Sequence, residues 1–451
     1  MELLPEKSRF AKMPQSGAPR HRCGRTEARP FQDGAGGAEG VDMLELLFDR
    51  AVDQSVRKGS LTVTLPDGRT RRYGDGTKPE VAVRITDTDT LRRIVMRPEL
   101  ALGEAYTDGS LIIENDDLYG LLTLGTRNVA AGNRPRIQKA MRKVHKLRGW
   151  LAQMNTAAKA RRNVAHHYDL SGGLYDLFLD SDRQYSCAYF ARPDMSLEEA
   201  QAAKKAHIAR KLLIEPDMKV LDIGCGWGGM ALTLARDYGA RVVGVTLSQE
   251  QLRIARARAE AEGLESRVDF RLMDYRDVSE SFDRVVSVGM FEHVGQPHFR
   301  DYFRNVHDRL RPDGVALIHT IGRTDPPSIT SPWIDKYIFP GGYIPSMSEA
   351  MAAVEKEDLY PCDVEVWRLH YAETLRHWHD RFTARRDEAV ALYDERFFRM
   401  WRYYLVAAEL TFRYNRQCVF QFQLAHDQEA VPLTRDYLYP ADREAQRMAA
   451  E

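Results

Sequence analysis

Cysteine is scarce and scattered in this chain. Five in 451 residues (Cys23, Cys187, Cys225, Cys362 and Cys418), with no C-x-x-C pair, argue against a disulfide framework or a zinc site and leave reduced thiols. No apolar run approaches the roughly 20 residues that cross a bilayer. The opening stretch MELLPEKSRFAKMPQ has no signal-peptide core, so a cytoplasmic location is expected. Net charge is also lacking: 65 Lys and Arg balance 65 Asp and Glu, so overall charge points to no nucleic-acid partner. One absence is local. Between Leu118 and Tyr168 there is no acidic residue, while basic residues crowd the same stretch, including Arg134, Arg136, Lys139, Arg142, Lys143, Lys146 and Arg148.

What is present divides the chain into parts. Residues 1–42, rich in Gly, Pro and Arg, are expected to be a disordered extension, with Met43 a second possible start. Residues 43–125 predict a small α+β domain: MLELLFDRAVDQSV suits a helix, LTVTL and VAVRI suit strands, and PDG suits a turn. Residues 126–165 form the basic linker. Within it Ile137, Met141, Val144, Leu147, Leu151 and Met154 recur at helical spacing, which fits either docking of segment 134–148 on an anionic lipid surface or a linker helix packed on its own domain. From residue 166 to 424 strands and helices alternate, predicting an α/β doubly wound, mostly parallel seven-stranded sheet with helices on both faces; 425–451 reads as a tail.

The segment VLDIGCGWGG (220–229) carries the chemistry. An apolar run ends in Asp222, and four glycines follow within six positions, allowing a ligand close to the backbone. The glycines run G-C-G-W-G-G, and the next strand ends in Thr246 where a dinucleotide site needs an acid. The compact D-x-G-C-G-x-G-G form matches the class I S-adenosylmethionine (SAM) methyltransferases. Asp222 then either organises the loop near the amino-acid end of the ligand or makes an ordinary loop hydrogen bond. Ser248 and Gln251 read as a capping box at the next helix. Asp274 and Tyr275 either flank an adenine or form a plain turn. Gly224, Thr246, Asp274, Glu292 and His319 are all expected at strand ends facing one crevice. Taken alone, a histidine in an apolar strand such as His319 is more often core than catalyst. Cys187 suits a small buried hydrophobe. The late aromatics, from Trp333 to Phe422, suit either core packing or the wall of an acyl pocket.

Together HHYDLSGGLYDLFLD, QYSCAYF, VLDIGCGWGG, GVTLSQEQ, SVGMFEHVG, HTIG, WIDKYIFPGGYIPS and FRMWRYYLVAAELTFR resemble the cyclopropane-fatty-acyl-phospholipid synthases over residues 166–424. EAYTDGSL, near Glu104, resembles the end of their N-terminal lipid-binding domain. The resemblance implies transfer of a methylene from SAM across the cis double bond of an unsaturated phospholipid acyl chain. It implies a bound bicarbonate as base, held by Cys187, Glu292, His319, the Ile321 amide and Tyr371, with Glu292 and bicarbonate sharing a proton. It assigns SAM contacts to Tyr185, Ser186, Gly224, Gly226, Thr246, Gln251 and Tyr275. Tyr337, Tyr343 and Tyr404 become expected pocket walls, and relatives suggest a homodimer peripheral to the inner face of the cytoplasmic membrane. Rival readings are a lipid methyltransferase giving a branched product, a soluble amine methyltransferase, and a lipid-binding protein with an inactive catalytic domain. No metal is expected.

Overall fold

In a computed structural model, residues 43–133 and 172–439 are described. The extension 1–42, nearly all of the basic segment including 134–148, and residues 440–451 lie outside them, so the lipid-docking expectation does too.

The first unit holds helix α1 (Met43–Ser55), strands β1 (Ser60–Thr64), β2 (Thr70–Gly74) and β3 (Glu80–Ile85), helices α2 (Thr88–Met96) and α3 (Pro98–Asp108), strand β4 (Leu111–Ile113) and helix α4 (Leu118–Ala130). Its sheet has the order β2-β1-β3-β4, with β1 parallel to β3. The expected PDG turn is there: Leu65 N–H donates to the Arg69 carbonyl at 2.8 Å and Gly68 takes φ +88°. Strand alternation buries Leu61, Val63, Val81 and Val83 against the helices. Asp87 caps α2 by accepting from Thr90 N–H at 2.7 Å. Helix α4 runs past residue 125 to Ala130.

The second unit begins with a short helix α5 (Gly172–Asp176) and α6 (Leu197–Lys211), followed by β5 (Lys219–Ile223), α7 (Gly229–Tyr238), β6 (Arg241–Thr246), α8 (Gln249–Ala261), β7 (Val268–Leu272) and β8 (Phe282–Val288). Then come α9 (Phe299–Arg309), β9 (Leu310–Arg323), α10 (Pro332–Tyr337), α11 (Met347–Val354), β10 (Tyr360–Trp367), α12 (His370–Ala384), α13 (Arg386–Leu392), α14 (Glu395–Tyr414) and β11 (Gln417–Ala425). The seven strands lie in the order β10-β11-β9-β8-β5-β6-β7. β9, β8, β5, β6 and β7 pair in parallel, and β11 inserts antiparallel between β9 and β10. The expected mostly parallel sheet is present, and its central strands are buried on both faces, which is why they read as continuous apolar runs.

Helix α14 joins the units. Its Val406 and Leu410 belong to the core of the first unit, while Trp401, Tyr404, Leu405 and Phe412 belong to the core under α12. A helix apolar around most of its circumference needs cover on several sides, and here two cores supply it. Polar contacts mark the same seam: Tyr119 Oη donates to Glu409 at 2.5 Å, Arg402 to Asp116 at 2.6 Å and Lys336 to Glu104 at 2.6 Å.

Three expectations need correction. His319 does not end its strand: β9 continues to Arg323, because β11 pairs with it residue for residue from Val315↔Ala425 to Arg323↔Gln417. The Ser248 cap is real, accepting from Gln251 N–H at 3.3 Å, but the reciprocal bond of a capping box is missing, since Gln251 Oε1 accepts from Thr246 Oγ1 at 2.8 Å instead. The tail expected from 425 is not loose throughout: Leu438 is buried, Tyr437 Oη donates to Gln423 at 3.1 Å, and Arg435 pairs with Asp363.

Candidate active site

One cleft, of ≈ 170 Å³, opens where β5 and β6 end. Tyr185 and Ser186 line it from the segment before α6, Asp222, Gly224 and Gly226 from the β5–α7 loop, and Thr246 and Gln251 from the β6–α8 connection. Asp274 and Tyr275 close it after β7, and Met290 and His293 after β8. All nine residues expected to meet the cofactor therefore share one wall-to-wall cleft, although they span 91 positions of sequence from Tyr185 to Tyr275.

The loop geometry explains the glycines. Gly228 caps α7 at φ +86°, and a Cβ there would lie 2.7 Å from Phe270 Cζ. Asp222 is buried, and its Oδ2 has no hydrogen-bond partner among the described residues. Burial pushes its carboxyl up to about 7, with the Lys204 ammonium acting against that rise. A buried acceptor facing the cleft suits the amino group of an amino-acid ligand. The Asp274 carboxylate is instead engaged by Arg276 at 2.6 and 2.8 Å, so the turn reading of that residue is also true.

Glu292, His319, Cys187 and Tyr371 are each buried and lie outside the lining of that cleft. Glu292 Oε1 accepts from the Ile321 amide at 2.5 Å, while Oε2 is buried with no hydrogen-bond partner among the described residues. Burial raises the Glu292 carboxyl to about 7; the Ile321 amide opposes this. His319, on β9, puts Nδ1 3.1 Å from Gln421 Nε2, and its Nε2 is buried without a partner among the described residues. Burial holds the ring well below its ordinary pKa, hence neutral. The Cys187 thiol, next in the chain to Ser186, donates to the Ala188 carbonyl at 3.3 Å and is pushed up by burial, which excludes a thiolate nucleophile. Tyr371 is buried between Trp378 and Phe412. The Ile321 amide, expected to help hold the base, donates to Glu292 and so orients that carboxylate.

The three expected pocket tyrosines separate. Tyr404 Oη lies 3.0 Å from Tyr185 Oη and so joins the cleft to the aromatic core. Tyr343 donates its backbone N–H to the Glu292 carbonyl at 2.9 Å and its hydroxyl to Glu349 at 2.8 Å. Tyr337 turns its hydroxyl to Glu104 in the first unit at 2.8 Å, at the seam.

Sequence reading missed Lys204, fully buried on α6. Its Nζ donates to Gln184 Oε1 at 2.6 Å and Ser186 Oγ at 2.8 Å. A signal existed. Gln201, Lys204 and Lys211 recur at spacings of three and seven on an alanine-rich helix with no continuous apolar stripe, so its buried side had to be partly polar.

Known proteins share this fold. The profile of the family described as Mycolic acid cyclopropane synthetase matches residues 155–422, and a domain of unknown function matches 47–128. The chain belongs to the mycolic acid cyclopropane synthetase family. It is 39% identical over 336 residues to the cyclopropane-fatty-acyl-phospholipid synthase of Escherichia coli K12, covering 73% of this chain and 84% of that one. It is 35% identical over 390 residues to a probable fatty acid methyltransferase of Pseudomonas putida, covering 84% and 96%. Among solved structures, the mycolic acid cyclopropane synthase CmaA1 complexed with SAH and CTAB superposes with a TM-score of 0.55 at 33% identity, over 58% of this chain and 97% of that one. The protein is a SAM-dependent methyltransferase of the cyclopropane synthase type, and the expected enzyme class and sheet are those of its relatives. Among the described residues no helix is long and apolar enough to cross a membrane.

Proposed function

We propose that the chain transfers a methylene group from SAM across the cis double bond of an unsaturated acyl chain in a membrane phospholipid, closing a cyclopropane ring. The observation that carries this reading is a pair of buried polar atoms without hydrogen-bond partners among the described residues, an acceptor on Glu292 and a ring nitrogen on His319. Simple methyl transfer to an amine needs no such group. Ring closure does, because a proton must leave the newly attached methyl.

SAM supplies an electrophilic methyl on a sulfonium. The cleft orients it: Asp222 receives the amino-acid end, Thr246 and Gln251 face the ribose, and Tyr275 covers the base. An alkene is a weak nucleophile, so alignment in a dry pocket must supply much of the rate. The aromatic walls around Tyr185, Trp378, Trp401 and Tyr404 exclude water there, and their ring faces stabilise the cation that develops on the acyl chain as the C–S bond breaks and the new C–C bond forms. Bicarbonate, held by Glu292, His319, Cys187 and Tyr371, would supply the base. Neutral His319 presents Nε2 to an anion as a donor when Gln421 holds Nδ1 as the acceptor. Glu292, raised to about 7 by burial, is ready to carry the proton that a carboxyl needs beside an anion.

The first unit, 43–125, is read as the lipid-facing domain, with segment 134–148 as the anionic-surface contact and 126–165 as the linker. A peripheral position on the inner face of the cytoplasmic membrane follows. The Pseudomonas relative's description as a fatty acid methyltransferase favours a second product, a methyl- or methylene-branched chain, from the same site. Mass spectrometry of phospholipids from a host expressing the chain separates them. A ring adds CH₂ and consumes the double bond; retained unsaturation in the added-carbon species would overturn the ring assignment.

A further inference from the structure

A buried lysine ordinarily sits against a carboxylate, because an uncompensated ammonium in the core costs several kcal/mol. Lys204 does not. It is fully buried, and its two hydrogen bonds go to neutral oxygens, the Gln184 amide at 2.6 Å and the Ser186 hydroxyl at 2.8 Å; among the described residues it makes no ion pair. Its neighbours on α6 behave differently. Lys205 pairs with Asp182, and Lys211 is held by Glu365 at 2.6 Å. Lys204 thus lacks the contact ion pair its neighbours have, although the Asp180 and Asp182 carboxylates lie within electrostatic reach, and its field extends to Cys187, Asp222 and His319.

The helix grips the segment that carries both halves of the site. Gln201 Nε2 donates to the carbonyls of Gln184 at 3.2 Å and Ser186 at 2.9 Å, alongside the two bonds from Lys204. Tyr185 lies between the gripped residues and Cys187 follows them. Four hydrogen bonds would hold that segment as well if position 204 were a neutral donor, so the charge itself has another purpose. A small anion placed beside the Glu292 carboxyl needs a positive counter-charge, and none of Glu292, Cys187, Tyr371 or neutral His319 provides one.

We propose that Lys204 is a positioning residue that supplies the counter-charge for a carboxylate-type anion bound between the cleft and the buried Glu292 and His319, while fixing Tyr185, Ser186 and Cys187 around it. Two sources share that chemistry: bicarbonate, and the carboxylate of SAM. The bicarbonate arm rests on the function proposed above.

The full-length enzyme with Lys204→Met tests this on vesicles of phosphatidylethanolamine and phosphatidylglycerol bearing cis-monounsaturated chains. Initial rates are taken against added bicarbonate in CO₂-stripped buffer, and separately against SAM. A tenfold or greater rise in the bicarbonate KM with the SAM KM within twofold assigns the charge to bicarbonate. The converse pattern assigns it to the SAM carboxylate. A loss in kcat or melting temperature with both KM values unchanged overturns the proposal and leaves Lys204 a structural residue. Should Lys204→Met not fold, Lys204→Gln and Lys204→Arg carry the comparison: the anion KM rises in the neutral variant and stays within threefold in the charged one, and equal behaviour of the two overturns the proposal. A wild-type enzyme indifferent to bicarbonate would refute the assigned base instead, with the SAM arm still reading Lys204.

Discussion

The cofactor cleft and the buried polar residues outside it are built from opposite materials. The cleft is made of loop backbone, glycines and strand ends, open enough to admit a ligand. The buried set is made of side chains on the long strand β9, the β8–α9 connection, α6 and α12, sealed by aromatic rings. Electrostatics follow that division only in part. Around the cleft, Asp274 is neutralised by Arg276 and Thr246 and Gln251 satisfy each other, while Asp222 keeps one buried oxygen without a hydrogen-bond partner among the described residues. Outside it, Glu292 and His319 each keep a buried atom without a hydrogen-bond partner among the described residues. Polar atoms are rarely buried without partners, and where they are the site is under strain or awaiting a ligand. On the function proposed above, cofactor binding and proton removal occupy separable layers, so variants in one should spare the other.

The sharpest break of that division is Glu292→Gln. Product formation should fall by about 10²–10⁴, the range for loss of a group handling a proton, while SAM affinity by calorimetry stays within threefold. An equal loss of SAM affinity would merge the two layers into one.

The same variant sharpens the electrostatics. A carboxyl raised from 4.5 to about 7 in the fold binds a proton more tightly folded than unfolded. Its contribution is intact below pH 4.5 and is lost as pH rises toward 7. Glu292→Gln should therefore gain stability relative to the wild type by about 3 kcal/mol between those limits. Urea unfolding at pH 4.5, 6 and 7.5 measures it, and the comparison with the wild type cancels the opposite trend of His293, which burial lowers to about 4. A difference independent of pH would show that the carboxyl ionises normally.

On the cleft side, Gly228→Ala forces a side chain into φ +86° and against Phe270, at a cost of about 1–3 kcal/mol. Weaker SAM binding and a lower melting temperature are expected, with the proton-transfer layer unaffected in whatever enzyme remains loaded. The smallest effect belongs to the bridge between layers. Tyr404→Phe removes the 3.0 Å hydroxyl pair with Tyr185, worth about 0.5–1.5 kcal/mol. A rise of several-fold in the SAM dissociation constant, with the pH dependence of Glu292 retained, would place the bridge in the cofactor layer.

Much of the cleft was legible from local pattern. Glycines after an apolar run mark a strand followed by a tight turn, and that alone put Asp222, Gly224 and Gly226 together. The residues expected to hold the base came as a set only from the family resemblance; on the residues alone Cys187 was a buried hydrophobe, and His319 gained a catalytic reading only when paired with Glu292. Where reading failed, a distant segment had intervened. β11 extended β9 beyond His319, Thr246 took the Gln251 side chain from its cap, and Glu104 drew the Tyr337 hydroxyl to the seam.

The sequence by itself determined the alternation of strands and helices in the cofactor half, the glycine loop and the small domain before it, because backbone conformation answers to neighbours a few positions away. Only the tertiary structure decided that Lys204 is buried without a contact ion pair, that burial raises the Glu292 carboxyl, and that the Ile321 amide serves that carboxyl. Those properties depend on the dielectric and the partners around a side chain, and both are set by residues tens to hundreds of positions distant.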